Sequence, residues 1–178
     1  AAIRKAWINR NFGYSAARAF RKKHRKVIRQ EDHVARLHRL LWDDKVRAAQ
    51  HQLRLVNNDQ QRLGLARIQL IARKPGVDYA VARVPDHLSD DIGLLYDRIR
   101  WRRRRGLIEK VYELMKKAPT EDLPRADKWG TERRILARWA LREGNVSIAY
   151  KLAKDHGQTG RLERAKAEWL AGWIALRF

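Results

Sequence analysis

The chain has 178 residues, enough for one domain with a substantial core or for a stack of small helical units. Apolar residues make up 44% of it, which excludes disorder, and the absence of cysteine excludes disulfides and any thiolate metal site or nucleophile. Lys and Arg outnumber Asp and Glu by 41 to 20, which gives a formal charge of +21. Such a surface attracts polyanions, but charge alone does not choose between nucleic acid, anionic lipid and an acidic wall polymer.

Apolar residues recur at helical spacing along nearly the whole chain, and strand patterns are almost absent. Pro and Gly are few, so long helices are possible. The sequence therefore predicts an all-α fold. In chain order, the predicted helices are 2–12, 15–29, 31–42, 44–56, 58–73, 77–83, 90–105, 107–118, 129–143, 145–156 and 160–178.

The second predicted helix, 15–29, carries the first basic cluster. Its cations recur every three or four residues, so one face of the helix is expected to be almost wholly cationic. The members of this cluster are Arg18, Arg21, Lys22, Arg25, Lys26 and Arg29. One interpretation is a binding surface for a polyanion, because arginine pairs well with carboxylate and phosphate. The other is an ordinary solvated helix face.

Adjacent acidic residues occur at 31–32, 43–44, 90–91 and 121–122. Neighbours on a helix point about 100° apart, so none of these pairs is suited to bracket a scissile bond. The first three pairs lie near predicted helix starts, where a negative charge offsets the helix dipole. We expect structural roles for them, and Asp43 or Asp44 is expected to cap the helix that starts near Lys45.

A second basic cluster closes the predicted helix 90–105. It contains Arg102, Arg103 and Arg105, with Arg104 between them, after Trp101. Cations are favoured at a helix C-terminus, and consecutive arginines wrap around a helix instead of forming a stripe. Polyanion contact and a purely structural role both remain open for this cluster.

An internal repeat relates the segments around Gly106 and Gly144. A shift of 38 residues superposes Trp101 on Trp139 and Tyr112 on Tyr150, and a shift of 100 relates 41–49 to 141–149. Each unit is helix, tight turn, helix, and such a period is typical of helical-hairpin solenoids. The prediction is one α-superhelical domain over 1–178, with about ten or eleven helices in stacked hairpins.

The final predicted helix, 160–178, is nearly all apolar from residue 167 onward. A helix that is apolar all round is expected to be buried. We therefore expect further layers beyond it and interpret the chain as a piece of a longer protein. Most of the seven tryptophans are expected in the core, because each buries a large area. The longest apolar run, 169–176, is far shorter than the ~20 residues that cross a bilayer, so no membrane span is expected.

No catalytic motif is visible in the chain. No two of its six histidines have the spacing of a zinc-binding helix, and its three serines lack the glycines of a nucleophile elbow. No phosphate-binding glycine loop occurs. We expect no catalytic residue, metal or cofactor within these residues.

The final segment carries a family resemblance. Residues 167–178 (AEWLAGWIALRF), preceded by 149–153 and 156–158, resemble the helical domain of soluble lytic murein transglycosylases. Upstream segments at 32–33, 36–42, 84–85, 93–103 and 132–136 fit the same family, so the resemblance covers most of the chain from about residue 30 onward.

The resemblance implies a long α-superhelical scaffold followed by a lysozyme-like catalytic domain. It also implies a periplasmic enzyme, with its signal peptide removed, that cleaves the β-1,4 bond between N-acetylmuramic acid and N-acetylglucosamine to leave a 1,6-anhydro product. A single glutamate of the catalytic domain acts as acid and then base in that family, and no segment of this chain matches the one that carries it. The partners implied are glycan strands of peptidoglycan and the catalytic domain of the same protein.

Two alternatives stay open at this stage. One is a basic helical-repeat protein that binds nucleic acid, although no recognised reading motif or aromatic platform is evident. The other is a solenoid that grips a protein partner on its concave face. The high positive charge is not something that the family resemblance requires.

Overall fold

The computed structural model describes residues 1–178 and contains only helices and connecting turns. The predicted all-α helical-hairpin fold is confirmed, and the predicted helices match the observed ones with shifted ends. A short 3-10 turn, Asp86–Leu88, lies between the sixth and seventh helices. The helices are α1 (Ala2–Asn9), α2 (Tyr14–Lys23), α3 (Gln30–Trp42), α4 (Val46–Leu53), α5 (Asn58–Ala72), α6 (Val77–Ala82), α7 (Ile92–Arg104), α8 (Ile108–Met115), α9 (Ala126–Arg142), α10 (Val146–Lys154) and α11 (Arg161–Arg177).

The second helix is shorter than its sequence pattern predicts. α2 ends at Lys23, and the chain turns through 24–27 before α3 begins at Gln30. The turn brings Ile28, which is only 8% exposed, into the core. Continuing the helix would also have stacked further cations on the three that already close α2, and like charges at this spacing repel. The prediction of one cationic helix over 15–29 was therefore wrong in its second half.

The turns within three hairpins share one geometry, which supports the sequence repeat. Asp44, Gly106 and Gly144 all have positive φ, at 56°, 73° and 75°. In each turn, the N–H of the following residue bonds the carbonyl five positions back, as in a Schellman motif. These turns join α3 to α4, α7 to α8 and α9 to α10. Asp44 thus has the left-handed backbone conformation that glycine adopts at the equivalent positions 106 and 144.

The predicted cap of α4 was wrong. Lys45 is the N-cap residue and makes no side-chain capping bond. Asp43 instead ends α3 and bonds Arg39 at 3.1 Å, and Asp44 bonds Arg100 at 2.6 Å. The left-handed turn directs both carboxylates toward arginines instead of toward the free N–H groups of α4.

Residues 1–111 form a compact N-terminal unit. Its core has two clusters of buried side chains. One joins α3, α4 and α5 and consists of Leu37, Leu40, Leu41, Ala49, Val56 and Ile68. The other surrounds α6 and consists of Leu63, Ala66, Leu70, Val77, Ala80, Val84 and Leu94. α5 contributes to both clusters and is therefore central to this unit.

A buried ion pair links α5 to α7 in this unit. Arg67 is fully buried and its Nε donates to Asp97 Oδ2 at 2.7 Å, with the guanidinium 5.2 Å from the ring centroid of Trp42. Gly93 provides the space for this guanidinium, because a Cβ at position 93 would overlap it. The close approach of α5 and α7 thus depends on a residue without a side chain.

Residues 112–178 form a second compact unit in which α9, α10 and α11 pack together. Its buried side chains include Trp129, Leu136, Leu152 and Ile174. Near the start of α9, Gly130 leaves room for the side chain of Gln158, whose Nε2 donates to the carbonyl oxygen of Ala126.

The final helix is partly buried in this structure. α11 packs on α9 and α10 through one face, so only Leu170, Ala171 and Ile174 are buried. Trp169 is 66% exposed and Trp173 is 41% exposed. Within these residues α11 is packed on one face, and burial of its other faces by further layers stays a prediction.

The other tryptophans fit the prediction that most tryptophan side chains lie in the core. Trp7, Trp42 and Trp129 are buried, and Trp101 and Trp139, at equivalent repeat positions, are half-buried.

No helix of the structure combines the length and the apolar character needed to cross a membrane. The stacking of all the hairpins into one superhelix stays a prediction.

Two glycine substitutions test the packing around Arg67. Gly93→Ala is expected to lower the free energy of unfolding by about 1–3 kcal/mol, because the new Cβ displaces a buried, paired guanidinium. Gly172→Ala is the matched control. Its helical position has open space around it, so alanine is expected to add up to about 1 kcal/mol through helix propensity. Chemical denaturation of both variants measures the difference, and equal stabilisation would show that Arg67 does not occupy the space at Gly93.

Candidate functional site

A groove of about 960 Å³ opens in the N-terminal unit between α2 and α4. This size falls in the range of ligand pockets. Its charged lining residues are Arg18, Arg21, Arg36, Asp44, Lys45, Arg47 and Arg54, and its ring-bearing residues are Trp7, Phe12, Tyr14 and His51. The groove therefore combines many cations with aromatic surface.

One wall of the groove is a single face of α2. Tyr14, Ala17, Arg18 and Arg21 line it at intervals of three and four residues, as expected for neighbours on a helix face. No residue of α2 is buried, and no acidic residue lies in its first turn. This wall therefore presents its cations to solvent.

The opposite wall is formed by α4 and the residue before it. Arg47, His51 and Arg54 are spaced by four and three residues, so they follow one stripe along the helix. Lys45 adds a cation where the helix begins. At the mouth of the groove, the His51 ring approaches the Tyr14 ring of α2, with 4.8 Å between centroids.

Aromatic packing holds α2 against the rest of the unit. Phe20 lies 6.0 Å from the buried ring of Trp7 and 4.9 Å from that of Phe12, measured between centroids. Phe20 also contacts His24 in the following turn. The position of the cationic wall therefore depends mainly on one side chain.

Arg36 lies beneath these rings at the floor of the groove. It is buried, and its guanidinium carbon is 4.4 Å from the Trp7 ring centroid. Its Nη1 donates to the carbonyl oxygens of Trp7 and Arg10, and no carboxylate lies within ion-pair distance of it. Burial and nearby Arg39 lower the pKa of Arg36 to about 10, so the group is still charged at neutral pH.

The groove is strongly positive because its cations lack internal partners. The only carboxylate in the lining, Asp44, bonds Arg100. The exposed cations on the walls form no ion pair within the chain, and these are Arg18, Arg21, Lys45, Arg47 and Arg54. The arrangement is suited to bind an anionic ligand with an apolar face.

The structure divides the first predicted basic cluster. Arg18 and Arg21 line the groove, whereas Lys22, Arg25, Lys26 and Arg29 are exposed outside its lining. The N–H of Arg29 donates to Asp32 at the start of α3, and its side chain lies 3.9 Å from Glu31. Lys22 lies within α2 but outside the lining, and the turn after Lys23 takes Arg25, Lys26 and Arg29 off the helix.

The second predicted cluster lies at the C-terminus of α7, away from the groove lining. Arg105 lies over the ring of Trp101, 5.0 Å from its centroid, and Arg102 donates to the carbonyl oxygen of Lys110 at 3.4 Å. Arg103 is half-buried. These contacts favour the structural interpretation of this cluster.

Sequence reasoning missed the α4 wall and the ring pair. Arg47, His51 and Arg54 form a stripe that helical spacing alone makes visible, but their cations are separated by apolar and polar residues, unlike the dense cluster of α2. Nothing in the sequence indicated that Tyr14 and His51, 37 positions apart, approach each other.

Two of the acidic pairs have the expected structural roles. Asp32 accepts from the N–H of Arg29, and Asp91 accepts from the N–H of Leu94 at the start of α7. No cluster of three or more His, Asp or Glu side chains is arranged to hold a metal ion.

Searches against protein-family models, curated proteins and solved structures find no match to this chain.

The packing of His33 beside Trp7 predicts a pH dependence of stability. Burial lowers the pKa of His33 from its ordinary value, and the charges of Arg21 and Arg36 act in the same direction, while Asp32 opposes them. The folded state therefore favours the neutral ring. The contribution of neutral His33 to the free energy of unfolding is fully present above about pH 6.5 and is lost as the pH falls below it.

We expect the free energy of unfolding to fall by up to about 1.4 kcal/mol per pH unit below pH 6.5 through this group. His33→Phe keeps a neutral ring and is expected to remove this contribution between pH 6.5 and 5. His87→Gln, at an exposed position, serves as the control. Denaturant titrations across this range measure the slope, and an unchanged slope in His33→Phe would contradict the assignment.

The anchoring role of Phe20 is also testable. Phe20→Ala is expected to release α2, because no other side chain of that helix is packed among buried rings. Amide hydrogen exchange in 14–23 should accelerate by tenfold or more, about 1.4 kcal/mol of lost protection, while exchange in α5 stays unchanged. Val27→Ala, in the turn after α2, is the control, and uniform acceleration over the whole unit would argue against a local anchor.

Proposed function

We propose that this chain is the non-catalytic helical region of a periplasmic lytic transglycosylase and that it holds the anionic glycan strands of peptidoglycan. The segment resemblance at 167–178 and upstream supports the family. The all-helical hairpin fold is of the kind that the resemblance implies. In this proposal the catalytic glutamate belongs to another domain of the parent enzyme, which cleaves the MurNAc–GlcNAc β-1,4 bond to give 1,6-anhydro-muropeptides.

The observation that carries the proposal is the groove between α2 and α4. Peptidoglycan bears stem-peptide carboxylates, and free lactyl carboxylates where the peptide is absent, on a sugar backbone, so it offers both negative charge and apolar ring faces. The groove is complementary to this polymer in charge and in apolar surface, because it has five exposed unpaired cations and an exposed ring pair. Arginine is well suited to this contact because its planar fork binds a carboxylate through two hydrogen bonds.

The physical role of such a region is to concentrate and orient the strand. A positive surface raises the local concentration of an anionic polymer and speeds its approach. The attraction between exposed charges weakens as salt screens it, over a distance of about 10 Å at 0.1 M ionic strength. Binding by this chain is therefore expected to be strongly salt-dependent.

Co-sedimentation with purified sacculi tests the proposal. A groove variant replaces Arg18, Arg21, Arg47 and Arg54 by Gln, and a matched variant replaces Lys22, Arg25, Lys26 and Arg29 by Gln. Both lose four positive charges. The groove variant is expected to bind at least tenfold more weakly than the parent chain, because each charged hydrogen bond contributes about 1.5–3 kcal/mol. The matched variant is expected to retain most of the binding.

Two results would contradict the proposal. Equal loss in both variants would show that net charge, and not the groove, holds the polymer. Release of anhydro-muropeptides by this chain alone would contradict its non-catalytic role. A gel-shift titration at physiological salt addresses the nucleic-acid alternative, which predicts a preference for one nucleic-acid form.

A further inference from the structure

We infer that the groove between α2 and α4 is a subsite for a carboxylated saccharide, with one sugar ring on the Tyr14–His51 pair and the carboxylates held by arginines from both walls. This inference rests on the proposed function, which it narrows to one site and one ligand chemistry. Three observations support it: the exposed ring pair, the arginines without carboxylate partners, and the charge of α2.

The ring pair forms a platform at the mouth of the groove. Tyr14 is 62% exposed, although it contacts His51 with an interplanar angle of 50°. The exposed Tyr14 ring leaves an apolar face in water, and the C–H face of a pyranose can cover it with the tilted His51 ring alongside. The Tyr14 hydroxyl supplies a donor and acceptor for sugar hydroxyls.

The arginines flank this platform on two helices. Arg18 and Arg21 are one turn apart on α2, and Arg47 and Arg54 are two turns apart on α4. Four of the five exposed cations in the lining are arginines, whose forked geometry matches a planar carboxylate. Arg36 adds a buried positive charge below them that no carboxylate of the chain balances.

The charge of α2 indicates that the helix itself gains from a bound anion. Arg18, Arg21 and Lys22 lie three and four residues apart, and such like-charge pairs destabilise a helix by about 0.2–0.5 kcal/mol each. The helix contains no acidic residue to offset them. An anion between the walls relieves this repulsion, so ligand binding is expected to stabilise α2.

The dimensions favour a short saccharide over a nucleic-acid strand. α4 has eight residues and is therefore about 12 Å long. The groove has one exposed ring pair, since Trp7 is buried, Phe12 is half-buried, and both rings pack against Arg36. Single-stranded nucleic acid is usually held by a series of rings that stack successive bases.

Calorimetric titration with three small probes tests the ligand chemistry. The probes are the GlcNAc–MurNAc disaccharide with its free lactyl carboxylate, neutral di-N-acetylchitobiose and a short oligothymidylate. The carboxylated disaccharide is expected to bind at least tenfold more tightly than the neutral one, because only the former pairs with the arginines. Oligothymidylate is expected to bind more weakly than the carboxylated disaccharide at physiological salt.

Substitutions in and outside the groove test where the disaccharides bind. Tyr14→Ala is expected to weaken binding of both disaccharides by several-fold to tenfold. Arg18→Gln with Arg47→Gln is expected to remove the preference for the carboxylated one. Arg25→Gln with Lys26→Gln removes the same charge outside both α2 and the lining and is expected to change nothing. Hydrogen exchange of α2 amides should slow on addition of the carboxylated disaccharide, which a merely electrostatic surface elsewhere would not cause.

The outcomes separate this inference from the proposed function. If the chain sediments with sacculi but Tyr14→Ala and the double arginine variant bind the disaccharide like the parent, the subsite is overturned and the broader function stands. If the carboxylated disaccharide binds in the groove while sacculi do not, the subsite stands and the peptidoglycan function fails. Tighter binding of oligothymidylate, lost in the arginine variant, would overturn the saccharide assignment.

Discussion

The packing of Arg36 over Trp7 holds the groove together. Trp7 belongs to α1 and Arg36 to α3, and the guanidinium binds both the ring face and the carbonyl oxygens at the end of α1. Phe20 stacks on Trp7 from α2, and the His33 ring of α3 packs nearly perpendicular to the Trp7 ring while bonding Gln52 of α4. Three helices thus meet at one indole ring, and α4 is linked to it through His33, so both walls of the groove are positioned relative to it.

Buried arginine recurs as a structural device in both units. Arg36 donates to carbonyl oxygens at the end of α1, and Arg133 donates to those of Ala118 and Pro119, at 3.4 Å and 2.9 Å. Arg67 instead pairs with Asp97. Guanidinium groups can satisfy free carbonyls at helix ends, which carry partial negative charge. Part of the high positive charge is therefore structural, whereas the exposed arginines of the groove have no ion-pair partner within the chain.

Much of the fold was predictable because it depends on local chemistry. Helical periodicity predicted each helix, and the repeat around Gly106 and Gly144 identified the turns that the structure shows. The end of α2 was not predictable from its cations, since the burial of Ile28 after the turn depends on the core it enters. The exposure of Trp169 likewise depends on which face of α11 packs against its neighbours.

The sequence by itself determined an all-helical chain of hairpins, its excess of positive charge and one wall of the candidate site, because helix formation and charge spacing act over a few residues. The tertiary structure alone decided that Arg18 and Arg21 face Arg47 and Arg54 across a groove, and that Tyr14 meets His51. These pairings depend on side-chain packing between helices distant in sequence, above all at Trp7, and no local pattern records that packing.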